Sequence, residues 1–103
     1  MSLSRNKLEG EERKARLAEV PEWTEVTEGR DAIKRTFLFK DFKEAWAFMG
    51  KVAEKAEELD HHPEWFNVYN RVEVTLATHT CNGVSEYDIV LAKAMDQFAK
   101  QQQ

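Results

Sequence analysis

Residues 41–79 read DFKEAWAFMGKVAEKAEELDHHPEWFNVYNRVEVTLATH, and they contain a helix pattern followed by a strand pattern. Asp41 and Glu44 begin the helix as a variant of the capping box. Pro63 disfavours helical geometry at His62, so we expect the helix to end near residue 59 or 60. Its apolar residues recur at i, i+3, i+4 and i+7, which predicts one apolar face: Phe42, Ala45, Trp46, Met49, Val52, Ala53, Ala56 and Leu59.

Alternation with a period of two predicts a hairpin after this helix. Residues 65–69 form one arm, the turn lies near Asn70, and residues 71–79 form the other arm. Three apolar residues share one face of the second arm and indicate the side that packs on the core: Val72, Val74 and Leu76.

The flanking segments supply two further strands and two further helices. We expect a weakly apolar helix within 4–19, a short strand at 23–26 and a strand at 31–39. Ser85 is a suitable N-cap for a last helix, with Asp88 in the capping-box position. The order αββαββα predicts an α+β fold: a four-stranded antiparallel sheet with three helices packed on one face.

Length and composition favour one intracellular domain. The 103 residues fit a single domain, 1–103, with residues 1–6 and 100–103 frayed. A net charge of −4 argues against direct binding of nucleic acid or of an anionic membrane. No apolar run approaches the roughly 20 residues of a membrane-spanning helix, and no signal peptide is evident. Cys81 is the single cysteine, so we expect a reducing, cytoplasmic location.

The chemistry is concentrated in the three histidines His61, His62 and His79. Imidazoles that converge on one spot suit proton transfer near neutral pH. Glu57 precedes His61 by four residues, and Glu58 precedes His62 by four. If the last helical turn persists through these residues, each carboxylate can contact the histidine that follows it and fix its tautomer.

Other interpretations of these residues stay open. The histidines also fit an ordinary polar loop, or a zinc site, although adjacent histidines rarely point at one ion. Asp88 could have a purely structural role, in which it completes the helix cap of Ser85. Trp65 is typical of hairpin packing, and an exposed Trp65 beside the histidines could stack on a flat heterocycle.

The spacing Glu57, three residues, His61-His62-Pro63, then Tyr69, nine residues, His79, eight residues, Asp88 resembles the motif of the pterin-4a-carbinolamine dehydratases. Residues 59–71, LDHHPEWFNVYNR, are especially similar to the animal enzymes, and segments 29–33 and 39–42 also resemble them. The resemblance covers nearly the whole chain and fades only at its two ends.

The resemblance implies dehydration of 4a-hydroxytetrahydrobiopterin to quinonoid dihydrobiopterin, in tetrahydrobiopterin recycling, with no metal or organic cofactor. It implies that His61 and His79 are the acid/base groups and that His62 chiefly holds the pterin. Four further residues match motif or pocket positions and are expected to contact the substrate: Glu57, Asp60, Trp65 and Asp88.

The same family includes the dimerization cofactor of a hepatocyte homeodomain transcription factor. The resemblance therefore implies a homotetramer, built as a dimer of dimers with helices in the contact. It also offers an alternative function, that of a transcriptional coactivator with a homeodomain partner and a nuclear as well as a cytoplasmic location. The helix at 41–59 would supply the contact surface.

Overall fold

The computed structural model describes residues 3–102, and residues 1, 2 and 103, at the ends expected to be frayed, lie outside the described part. The helices are α1 (Gly10–Leu17), α2 (Phe42–Leu59) and α3 (Glu86–Gln101). The strands are β1 (Thr24–Glu25), β2 (Ile33–Leu38), β3 (Glu64–Val68) and β4 (Arg71–Leu76). The predicted order αββαββα is confirmed. The strands form one antiparallel sheet in the order β1-β2-β4-β3.

The core lies between one face of the sheet and the helices. Alternate residues of the two central strands are buried there: Ile33, Phe37, Val72, Val74 and Leu76. The second layer comes from α2 and α3, which contact each other, and α1 contacts α3. Burying each large apolar side chain contributes about 1.5–3 kcal/mol, so this two-layer core holds the sheet and helices in place.

The buried face of α2 differs from the predicted one. Phe42, Trp46 and Ala53 were expected to face the core but are exposed, whereas Phe48 is fully buried. The buried stripe follows residues 45, 48, 52 and 56, which is rotated relative to the predicted stripe. The predicted stripe was wider than one helix face can bury against two neighbours. As a result, the Phe42 and Trp46 rings stack on each other outside, with centroids 5.9 Å apart.

Arg35 is a charged residue between the buried Ile33 and Phe37 on the same face of β2, and its partners explain this position. It lies on the core side, where it donates a 2.6 Å hydrogen bond to Asp96 and lies over the Phe37 ring. Asp96 also accepts from the Trp23 indole. The ion pair offsets the cost of removing the Arg35 charge from water, so the guanidinium can approach the core.

Two helix ends place the residues of the next subsection. Asp60 adopts a left-handed conformation (φ 52°, ψ 47°) and ends α2. Ser85 begins α3 with the predicted capping box, in which the Asp88 carboxylate accepts from the Ser85 backbone N–H. In the described part of the chain, no helix is both long enough and apolar enough to cross a membrane.

Candidate active site

A cleft of about 270 Å³ lies where the end of α2 meets the loop that follows β4. All three histidines line it, together with Asp60. A larger groove of about 590 Å³ lies beside α3, but its charged residues are largely paired with each other, as in Arg35–Asp96 and Lys93–Glu19. The smaller cleft therefore holds the titratable groups that suit catalysis.

His61 is the buried histidine of the cleft. Because Asp60 is left-handed, the chain folds back, and the His61 backbone N–H donates to the Ala56 carbonyl at 3.0 Å. This turn directs the imidazole toward the start of α3, where its Nε2 lies 2.6 Å from Asp88 Oδ1. The Tyr87 ring packs beside it, with centroids 5.6 Å apart.

The Asp88 carboxylate is completely buried and fully hydrogen-bonded. Its Oδ2 accepts from the Thr78 hydroxyl and from the Ser85 backbone N–H, both at 2.9 Å. Its place in the first turn of α3 also favours the negative charge, because the unpaired N–H groups of a helix N-terminus carry partial positive charge. Asp88 thus lies behind His61 and does not line the cleft.

His62 is exposed, and its Nε2 lies 2.5 Å from Glu57 Oε2. The expected pairs Glu57–His61 and Glu58–His62 were therefore wrong. Glu58 instead binds Lys55, one turn earlier on α2. The left-handed residue at position 60 is the reason: it interrupts the helical i, i+4 spacing, so His61 turns inward and His62 turns back over Glu57.

His79 lies beyond the last paired residue of β4, in an exposed turn. The turn is held by a bridge between Thr78 and Gly83, and the His79 carbonyl accepts from the Asn82 backbone N–H. The strand predicted for residues 71–79 therefore ends at Leu76, although the chain continues toward the cleft. The structure brings the His79 side chain to the cleft that His61 and His62 line.

Trp65 is the one predicted site residue that is placed away from the cleft and from its histidines. It is half-buried, packs against the core and pairs with Val74 across β3 and β4. Glu57, like Asp88, contacts a histidine and does not itself line the cleft.

The sequence interpretation did not predict five residues of the cleft wall as site residues: Arg5, Glu64, Ala77, Thr78 and Thr80. Arg5 donates to the Leu59 and Asp60 carbonyls, across more than 50 residues of sequence, which no local pattern signals. Thr78 continues the buried alternation of β4, and this register could have located its side chain.

Glu64 is held at the rim of the cleft by a two-pronged ion pair. Both of its oxygens accept from the Arg30 guanidinium at 2.7 Å. These hydrogen bonds lower the pKa of Glu64, and the nearby His79 contributes in the same direction. Glu64 thus stays ionised at the edge of the histidine cleft.

The comparison with protein-family models decides the family. The model described as pterin 4 alpha carbinolamine dehydratase matches residues 6–98.

This chain belongs to the pterin-4a-carbinolamine dehydratase family.

Individual members of the pterin-4a-carbinolamine dehydratase family are similar to this chain over most of its length. A Burkholderia orbicola protein, named for this dehydratase activity, is 58% identical over 91 residues, which is 88% of each chain. A Burkholderia multivorans protein of the same name is 57% identical over 94 residues, or 91% of each chain. The crystal structure of a transcriptional coactivator/pterin dehydratase from Brucella melitensis superposes with a TM-score of 0.86. It is 53% identical and covers 91% of this chain and 99% of its own.

The dehydratase family is one of hydro-lyases, and the cleft contains groups suited to that class of reaction. His61 is shielded and tied to a buried carboxylate, whereas His62 and His79 are open to solvent. A neutral imidazole accepts a proton, and an imidazolium donates one. His61 is thus held in a fixed position on one wall of the cleft, and His62 and His79 lie on the accessible side. Acid–base catalysis needs a positioned side chain within reach of the substrate. Among residues 3–102, no group of three His, Cys, Asp or Glu side chains is arranged to hold a metal ion.

Proposed function

We propose that this protein removes water from 4a-hydroxytetrahydrobiopterin to form quinonoid dihydrobiopterin, by histidine acid–base catalysis in tetrahydrobiopterin recycling. The observation that supports it most is that the adjacent pair His61 and His62 and the distant His79 line a single cleft. Its volume of about 270 Å³ is at the small end of ligand sites and suits a bicyclic ring.

The reaction needs two proton transfers, and two histidines supply them. One imidazolium protonates the 4a-hydroxyl, and the bond between C4a and oxygen breaks. A neutral imidazole takes the proton from N5, so that the C4a–N5 double bond forms and water leaves. His61 and His79 are proposed as this pair, in line with the resemblance. No net proton is gained or lost, because one histidine gives a proton and the other receives one.

The other polar groups are proposed to hold the pterin. Glu57 orients His62 through the 2.5 Å contact, so that His62 presents one defined edge of its ring to the substrate. Asp60 lines the cleft and can accept hydrogen bonds from the guanidine-like edge of the pterin. The half-buried Trp65 would contribute to substrate binding only if it moves, since it lies away from the cleft in this structure.

The test is dehydration of 4a-hydroxytetrahydropterin by His61→Ala and His79→Ala. Loss of one acid–base group is expected to reduce kcat by about 10²–10⁴-fold. The largest reduction that can be observed is limited by the rate of the spontaneous, uncatalysed dehydration. Lys43→Ala, on the exposed side of α2, is the control and should retain full activity. Unchanged turnover in both histidine variants rejects the proposal.

A second function, that of a dimerization cofactor for a homeodomain transcription factor, is supported by two observations. The Brucella melitensis structure is of a protein described as both coactivator and dehydratase. In addition, Phe42 and Trp46 form an exposed aromatic pair on α2, 45% and 62% exposed, and such pairs are typical of protein contacts. We propose that this surface joins two dimers into a homotetramer in the cytoplasm. In the nucleus, we propose that the protein binds the transcription factor.

This surface can be tested without any partner. Trp46→Glu should convert tetramers to dimers in sedimentation equilibrium, because a charge would be buried in the contact. Glu54→Gln, also on an exposed position of α2, is the control. If Trp46→Glu leaves the mass of the wild-type assembly unchanged, α2 is not the contact.

A further inference from the structure

The buried carboxylate behind His61 is the start of a chain of hydroxyl groups that no acid–base step uses directly. Thr78 Oγ1 lies 2.9 Å from Asp88 Oδ2 and 2.6 Å from Ser85 Oγ. Ser85 Oγ accepts in turn from the Tyr87 backbone N–H at 3.3 Å. Thr78, Ser85 and Asp88 are all essentially inaccessible to solvent, with exposures of 1%, 0% and 0%.

Counting donors fixes the direction of every bond in this chain. An ionised carboxylate only accepts, so the single Thr78 proton points at Asp88. Thr78 must then accept from the Ser85 hydroxyl, whose lone pair receives the Tyr87 N–H. With both Asp88 oxygens accepting, the ring nitrogen 2.6 Å from Oδ1 must carry hydrogen. Neutral His61 is therefore the tautomer protonated at Nε2, with its lone pair on Nδ1.

We propose that Thr78 is a positioning residue for the dehydration: its hydroxyl holds the Asp88 carboxylate in the orientation in which Oδ1 faces His61 Nε2, and so keeps His61 in the Nε2–H tautomer, with Nδ1 free to exchange a proton with the substrate. This inference rests on the proposed function, in which His61 is an acid–base group. The role of Thr78 in this inference depends on its hydroxyl group and not only on the packing of a buried side chain.

Thr78 also connects the two sides of the cleft. Its backbone N–H donates to the Gly83 carbonyl at 2.7 Å, and its carbonyl accepts from Gly83 at 3.3 Å. This bridge sets the turn that carries His79, the neighbouring residue. The same residue thus fixes the tautomer of His61 through its side chain and the position of His79 through its backbone. Substitution of its side chain leaves the backbone bridge available, which separates the two effects.

The experiment compares Thr78→Val, which keeps the shape but removes the hydroxyl, with Thr78→Ser, which keeps the hydroxyl. Nitrogen-15 NMR of the histidine rings reports the tautomer of His61, and kcat and KM are measured on the same samples. Thr78→Val should give a mixed tautomer signal and reduce kcat about tenfold at similar KM, less than the loss of an acid–base imidazole. Thr78→Ser should restore the Nε2–H signal and most of kcat. Thr36→Val, an exposed threonine of β2, is the matched control.

Each outcome decides between a positioning role and a merely structural one. A loss of kcat in Thr78→Val with an unchanged His61 signal, or an equal loss in Thr78→Ser, would overturn the inference. If Thr78→Val does not fold, Thr78→Ala removes the same hydroxyl and should shift the tautomer in the same direction, and no shift there would also overturn the inference. A wild-type protein that shows the Nε2–H tautomer but no dehydration would reject the proposed function and leave the assignment of the hydrogen-bond chain standing.

Discussion

Asp88→Asn is the substitution whose effect the structure defines most sharply. The amide keeps the shape of the carboxylate but replaces one acceptor by a donor. The Ser85 backbone N–H and the Thr78 hydroxyl both point at Oδ2, so the amide oxygen is expected to take that place. Its NH₂ group then faces His61 and forces the tautomer with Nε2 unprotonated. The substitution thus removes the Nε2–H tautomer of His61 and also the negative charge that stabilises the His61 imidazolium.

The size of the effect follows from the bond that is lost. The contact between His61 Nε2 and Asp88 Oδ1, 2.6 Å long and buried, is charge-assisted when the imidazole is protonated. Hydrogen bonds to charged groups contribute about 1.5–3 kcal/mol. Since 1.36 kcal/mol corresponds to tenfold in rate, kcat should fall about 10- to 150-fold.

The assay is stopped-flow absorbance of quinonoid dihydropterin, corrected for the spontaneous reaction. Asp96→Asn is the control, because Asp96 is a half-buried carboxylate held at 2.6 Å by Arg35, remote from the cleft. It should lower stability without changing kcat. If Asp88→Asn folds and its kcat stays within twofold of the wild type, the reasoning about His61 is refuted.

Three further outcomes are expected. Glu57→Gln should raise KM by no more than about fivefold with little change in kcat, because an exposed pair such as Glu57–His62 contributes only about 0.2–1 kcal/mol; a large fall in kcat in steady-state kinetics would contradict a holding role. Phe48→Ala should lower the free energy of unfolding by about 3–5 kcal/mol in urea titrations, whereas Lys43→Ala, at an exposed position of the same helix, should change it by about 0.5 kcal/mol or less; equal losses would contradict the observed face of α2. Arg30 lowers the pKa of Glu64 from 4.5, so this pair stabilises the fold above that pH and the contribution is lost as the pH falls through the lowered value. Glu64→Gln should therefore lower the free energy of unfolding at pH 7 by about 1 kcal/mol or less, as for a half-exposed pair. The small fall in Tm that accompanies this loss should disappear at the acidic end of a pH series, and a Tm difference that persists there would contradict the assignment.

Local patterns predicted the parts of the fold that depend on local chemistry. The capping box of Ser85 and Asp88 was visible because both partners lie within four residues of each other. The helix from Phe42 to Leu59 and the hairpin after it followed from their periodicities. Periodicity predicted the helix α2 but not its rotation about its own axis. That rotation places Phe48 against the rings of Phe37 and Phe39, with centroids 4.8 and 4.9 Å away.

The three histidines were predicted to converge and they line one cleft, but their hydrogen-bond partners and much of the cleft wall were not predicted. The three histidines were identified from the motif, yet the partner of His61 proved to be Asp88 and not Glu57. The cause is a single backbone conformation, the left-handed Asp60, which aspartate adopts only in a minority of cases. The long-range contact of Arg5 has no local signature at all, because tertiary packing alone brings it to the end of α2.

The most direct test of the account is a crystal structure of the protein with an oxidised pterin soaked into it. The account predicts the bicyclic ring in the 270 Å³ cleft, with C4a between the imidazoles of His61 and His79 and the guanidine-like edge near Asp60. A pterin bound elsewhere, such as in the groove beside α3, or bound in the cleft with C4a out of reach of both imidazoles, would contradict it.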